Sequence, residues 1–250
     1  MAIREDAQRN HDQLFPNHES TLKVTDPELI EIFDNWAFGD VLKDQTLDTR
    51  TRLMVQLAAL IACQALSEFR VMAGGALNAG VTPVEIKEIV YQAVPYVGMG
   101  KAFDFLHVTN EVFTSRGVAL PLPGQSTTNQ ETRFEKGVAA QKQIFGDTID
   151  KMRAGAPKDQ LHIQDFLAAN CFGDYYTRTG LDLKTRELLT FAMLAAMGGC
   201  EPQLAGHVVG NLAVGNDRAA LVSTITQLLP FIGYPRTLNA LRIVNEGTSS

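Results

Sequence analysis

The chain has 250 residues, 45% of them hydrophobic, which is enough apolar material for one large domain or two small ones with a full core. Its 28 acidic and 22 basic residues give a net charge of −6, and no Lys/Arg cluster exceeds a pair, which excludes the electrostatic footprint of a binder of nucleic acid or anionic membrane. The polar start MAIREDAQRNHDQLFPN lacks the apolar core of a secretory signal, and no run of ~18 apolar residues is present to span a bilayer, so the expectation is a cytoplasmic protein.

In chain order, residues 1–27 read as an N-terminal extension, 28–113 as a first copy of a repeated unit, 114–132 as a linker and 133–250 as a second copy. The repeat is read from two alignments. WAFGDVLKDQTLDTRTR (36–52) matches NCFGDYYTRTGLDLKTR (170–186) at a constant offset of 134, with seven identities in seventeen positions; random pairing would give roughly one. VYQAVPYVGMGKAFDFLHVTNE (90–111) matches ITQLLPFIGYPRTLNALRIVNE (225–246) at an offset of 135, so one residue is inserted between the blocks.

In the first copy, RLMVQLAALIACQAL (52–66) is apolar almost all the way round, which predicts a central helix. The next helix ends at Gly80, and Thr82-Pro83-Val84-Glu85 then supplies an N-cap, a first-turn proline and a capping-box acid. Pro95 interrupts that helix near its end, and Gly98 permits the turn into a last amphipathic helix. The linker TSRGVALPLPGQSTTNQET (114–132), rich in Pro, Gly, Ser and Thr, reads as exposed. The second copy repeats the series: RELLTFAMLAAM (186–197), then Gly215 and Asp217, then Pro230 and Gly233. Strand alternation is absent, so the expected class is all-α.

Leu181-Asp-x-x-Thr-Arg-Glu187, the apolar helix after it, the helix carrying His207, and Pro230-Phe-Ile-Gly-Tyr-Pro-Arg-Thr-Leu-Asn-Ala-Leu241 together resemble the carboxymuconolactone decarboxylase family, which includes the alkylhydroperoxidase D-like proteins. The resemblance covers about 28–113 and 160–246 and implies a duplicated alkylhydroperoxidase D-like helical unit. It further implies a lyase that removes carbon dioxide from a small carboxylated lactone or related metabolite, with neither a metal nor an organic cofactor. His207 is the family's histidine by position, expected as general acid/base, and Glu187 is the matching acid on the preceding helix.

Comparison of the copies sharpens the pair: the equivalents of Glu187 and His207 are Leu53 and Met72, so both polar groups are present in one copy and absent from the other. A catalytic pair and a buried structural hydrogen bond that the first copy replaced by apolar contact fit this equally well. Cys63, Cys171 and Cys200 form no Cys-x-x-Cys pair and have no short spacing, which argues against a disulfide framework and for small, semi-buried apolar roles. Cys200 alone precedes a helix start, Glu201-Pro202, whose amide dipoles would favour a thiolate, and it carries the alternative of a thiol-dependent hydroperoxide reductase.

Arg186 and its first-copy equivalent Arg52 could clamp a substrate carboxylate, though their presence in both copies favours a structural salt bridge. Tyr234 and Arg236 replace Met99 and Lys101 and are second-copy candidates for an anionic substrate. Asp40, Asp174, Asp48 and Asp182 read as turn and cap residues. His11, His18, His107 and His162 have no ligand spacing, so no metal site is expected. A non-enzymatic helical scaffold is the third reading. A homo-oligomer is expected under each, because Gly74-Gly75-Ala76 and the all-round apolar helices offer close-packing surfaces; the family's rings of six units would imply three chains of two units.

Overall fold

The computed structural model describes residues 2–16 and 18–248, and among them there is no strand. The first half holds α1 (Glu5–Leu14), α2 (Leu22–Thr25), α3 (Pro27–Asn35), α4 (Thr49–Ala62), α5 (Leu66–Asn78), α6 (Pro83–Val97) and α7 (Met99–Ser115). The second holds α8 (Arg133–Phe145), α9 (Thr148–Ala154), α10 (Leu161–Phe166), α11 (Leu183–Met197), α12 (Glu201–Ala213) and α13 (Arg218–Gly247), the last broken at Gly233.

The local signals act as the sequence predicts. Asp48, Asp182 and Asp217 each accept a hydrogen bond from a backbone N–H three residues on, at 3.0, 2.7 and 2.8 Å. Such a cap contributes about 1 kcal/mol. Thr82 and Glu85 form the reciprocal capping box at the start of α6. Gly98 at φ +83° and Gly233 at φ +74° take the left-handed backbone that follows Pro95 and Pro230, and the chain re-enters helix on the far side.

The two Phe-Gly-Asp segments are not turns. They lie in π-helical stretches, Trp36–Asp40 and Leu167–Tyr176, and their aspartates pair with arginines preceding or opening the helix packed on each: Asp40 with Arg4 at 2.8 Å, Asp174 with Arg133 at 3.2 Å. The widened turn brings backbone against backbone. A Cβ on Gly173 would fall on the Arg133 carbonyl oxygen, and one on Gly137 of α8 would fall on that of Ala168. Gly173→Ala is therefore expected to lower stability by about 1–3 kcal/mol, toward the upper end because no side chain can yield. A fall in the urea midpoint at unchanged slope is the measurement.

α4 and α11, one from each half, pack on one another at the centre, and each also contacts a helix of the other half, α13 and α6 respectively. This explains their all-round apolar character within a single chain, so that character is not by itself a surface for other chains. The Gly74-Gly75-Ala76 patch is likewise used internally: a Cβ on Gly75 would stand 2.5 Å from Phe15, which follows α1. Phe145, at the end of α8, covers Gly210 in the same way. Thus α1, within the segment read as an extension, packs on the first half much as α8 packs on the second.

The linker is strapped down rather than loose. Val118 and Leu122 pack on the core, Thr127 Oγ1 donates to the Thr177 carbonyl at 2.8 Å, and Thr128 Oγ1 donates to that of Gly173 at 3.0 Å.

Candidate active site

α11 runs from its Asp182 cap to Met197, where Gly198 (φ +66°) and Gly199 (φ +71°) reverse the chain into α12. This tight hairpin sets the middle of α12 beside the start of α11. His207 Nδ1 and Glu187 Oε2 lie 2.8 Å apart, with Glu187 fully buried and His207 reaching the surface of a cavity. The carboxylate accepts from Nδ1–H, which leaves Nε2 as the nitrogen free to exchange protons. Glu187 has room only because residue 210 is glycine: a Cβ there would stand 2.6 Å from Oε2 and 2.9 Å from Ile144 and Phe145.

Two asparagines lock the hairpin. Asn211 Nδ2 donates to the carbonyls of Glu187 (3.0 Å) and His207 (2.7 Å), and its Oδ1 accepts from Asn216 Nδ2 (2.8 Å), which also bonds the Lys184 carbonyl. In the first half the same positions are Ala76 and Val81. The whole seam, Glu187, His207, Asn211 and Asn216, is therefore polar in one half and apolar in the other.

The cavity holds about 470 Å³ and is lined mostly by apolar side chains. Phe145, Ile149 and Met152 come from α8 and α9, Cys171 and Phe172 from the π-helical stretch, and Tyr96 from α6 of the other half. The edges of Tyr96 and Phe145 hold the imidazole, with ring centroids at 6.1 and 5.5 Å. Tyr96 Oη contacts Tyr176 Oη at 2.9 Å, and Tyr176 Oη contacts Thr190 Oγ1 at 2.6 Å, forming a hydroxyl chain beside the site.

Burial, and then the neighbouring Cys171 and Glu187, push the Tyr96 phenol well above its ordinary range. Burial followed by Glu187 and Tyr96 does the same for Tyr176. Burial pushes the Cys171 thiol up to about 12. These groups stay protonated at neutral pH, and histidine is the cavity's side chain suited to proton transfer there.

Of the sequence candidates, the cavity gathers His207 and Cys200, with Glu187 bonded behind His207. The helix start was expected to favour a thiolate at Cys200. As N-cap of α12 its Sγ faces the Leu194 carbonyl at 3.4 Å, and burial followed by Glu201 shifts its pKa upward, the opposite direction. Iodoacetamide is accordingly expected to label Cys200 more slowly than free glutathione at neutral pH.

Arg186 is absent from the cavity wall. Its guanidinium is fully buried, donating to Glu88 (2.9 Å), Gln92 (2.7 Å) and the carbonyls of Arg178 and Thr179, which leaves no role as a clamp for substrate there. Tyr234 is 60% exposed and stacks on Trp36, while Arg236 reaches toward Cys63; neither lines the cavity. Among the described residues no three of His, Cys, Asp and Glu are placed to hold a metal ion, and no helix is long and apolar enough to cross a membrane.

Sequence reasoning missed Tyr96, Tyr176 and Thr190. The signal was present: their counterparts are Phe231, Leu42 and Gln56, so the phenols vanish from the other copy just as Glu187 and His207 do.

A duplicated all-helical chain with an imidazole–carboxylate pair on the wall of a cavity the size of a metabolite defines the class. The chain belongs to the carboxymuconolactone decarboxylase family, whose model matches residues 27–111 and 162–246, more than half of the sequence. It is 33% identical over 81 residues to nitrosuccinic acid decarboxylase npaB of Metarhizium robertsii, a match covering 32% of this chain and 57% of that one. To 4-carboxymuconolactone decarboxylase of Acinetobacter baylyi it is 32% identical over 84 residues, 34% of this chain and 63% of that one. An uncharacterized 15.0 kDa protein of Paracoccus denitrificans is 41% identical over 99 residues, 39% and 69% of the two chains. The chain thus spans about six tenths of the length of the first two relatives.

Proposed function

We propose that the protein is a cofactor-independent lyase that decarboxylates a small carboxylated lactone or related metabolite, with His207 as general acid/base. The carrying observation is the 2.8 Å pair of His207 and fully buried Glu187 at the wall of the 470 Å³ cavity. In this reading the bond between the carboxylate and the substrate carbon breaks, carbon dioxide leaves, and the electron pair passes into the conjugated framework. His207, as the imidazolium stabilised by Glu187, then delivers its Nε2 proton to carbon, and the neutral imidazole left behind regains a proton from solvent. The apolar walls suit a step that disperses a localised carboxylate charge, and the protonated Tyr96 hydroxyl is a donor for developing oxyanion charge.

The test is a panel of small carboxylated lactones and 2-substituted succinates incubated in deuterated water. Carbon dioxide release with one deuterium incorporated on carbon is the expected result; no release from any member counts against the reading. Hydroperoxide reduction by Cys200 competes, since that thiol shares the cavity. Intact mass after hydrogen peroxide treatment should show no oxidation there, and a sulfenate at Cys200 would favour the competitor.

The proposed assembly is a ring of three chains. Four pairs of exposed apolar residues recur at the repeat offset: Leu29 with Ile163, Ile32 with Phe166, Met99 with Tyr234 and Phe103 with Leu238, each more than half exposed. Matching patches on both halves suit a heterologous contact that closes by rotation. Sedimentation equilibrium should give three times 27.3 kDa, and Ile32→Lys with Phe166→Lys should give the single chain.

A further inference from the structure

A second cavity, of about 370 Å³, opens between α6, α7 and the linker and shares no lining residue with the one at His207. At ~30 Å³ per water its volume equals roughly a dozen waters, room for a small metabolite. Lys87 on its wall is only 9% exposed. Its Nζ donates to Asn110 Oδ1 and sits 5.4 Å from the Phe113 ring centre, and it forms no ion pair among the described residues. Burial alone lowers its pKa, the mark of a cation without a counter-charge.

Arg178 is the second cation on the wall. It donates to Glu88 through Nε and Nη2 and lies over the Tyr91 ring at 5.0 Å. That same carboxylate serves fully buried Arg186 at 2.9 Å. Arg178 and Arg186 therefore share one carboxylate while Lys87 has none, so these four side chains carry a local excess of two positive charges in a chain whose net charge is −6. The equivalents of Lys87, Glu88, Tyr91 and Arg178 in the other half are Val222, Ser223, Thr226 and Asp44, so the excess belongs to this cavity and not to the fold. Pro121 and Pro123 stiffen the linker wall opposite, giving the cavity an apolar side.

We propose that this cavity binds a small metabolite through its anionic group, a carboxylate or a phosphate, held by Lys87 and Arg178. A buried ammonium with one neutral acceptor has donors to spare, and an oxyanion would supply the missing charge and hydrogen bonds together.

The test is calorimetric titration of the full chain with inorganic phosphate and, separately, with succinate, at ionic strength held constant with sodium chloride. Saturable binding of at least one is expected: phosphate alone marks a phosphorylated ligand, succinate alone a carboxylate, and both a site selective for charge. Lys87→Met should weaken binding roughly tenfold or more. Lys87→Gln, which can keep the Asn110 hydrogen bond, should do the same with the fold certified by circular dichroism. His207→Gln should bind as the native chain does. No saturable binding of either anion, equal binding by the Lys87 variants, or loss of binding in His207→Gln would overturn the proposal.

Discussion

Replacing Glu187 with leucine and His207 with methionine together should reduce turnover by roughly a hundredfold to ten-thousandfold while changing stability by no more than about 1 kcal/mol. The chain itself supplies the rationale. Leu53 and Met72 occupy the same two positions in the first half, where both are buried in the core. Removing both polar partners leaves nothing buried and unpaired, and such a swap is often neutral or stabilising.

His207→Met alone behaves differently. It leaves a fully buried carboxylate with no partner, since Glu187 Oε1 already has none, and should destabilise the chain by about 3–5 kcal/mol. The double variant thus separates the catalytic reading of the pair from the structural one. Urea unfolding measures the first quantity and carbon dioxide release the second. Turnover within a few-fold of the native chain in the double variant would make the pair a packing feature.

Glu88→Ala should cause a comparably large loss of stability, about 3–5 kcal/mol. It strips the shared carboxylate from Arg186, which is fully buried, and from Arg178, which is nearly so. At ~2–4 °C per kcal/mol for a chain of this size, the thermal midpoint should fall by roughly ten degrees. Glu88→Gln, which keeps hydrogen-bonding capacity but not charge, should fall less. An unchanged midpoint in Glu88→Ala would mean that the two guanidiniums do not depend on the carboxylate, and the other half holds a buried arginine without one. There Arg52 is 6% exposed with Ser223 at the Glu88 position, and its Nε has no partner.

The helical class, the caps, the kink glycines and the duplication were all readable in the residues, because each depends on contacts within a few positions or on one half repeating the other. The catalytic candidates were readable for a related reason. The family resemblance singled out Glu187 and His207, and their joint replacement by Leu53 and Met72 is what a bonded pair would show; the structure supplies the bond between residues twenty apart. Arg186 was harder: its Thr-Arg context was clear, but its partners Glu88 and Gln92 lie in the other half and no local pattern points to them.

By itself, then, the sequence determined that the protein is two copies of one helical unit and which copy carries the polar seam. Tertiary packing alone decided that Phe-Gly-Asp opens into a π-helical stretch, that α8 and α9 wall the cavity, that Tyr96 crosses from the other half, and that burial shifts the Cys200 thiol upward in pKa. The reason is physical. Periodicity and capping are short-range energies written into neighbouring residues, whereas the shape of a cavity and the desolvation of a thiol depend on which distant surfaces meet, and those sum over the whole chain.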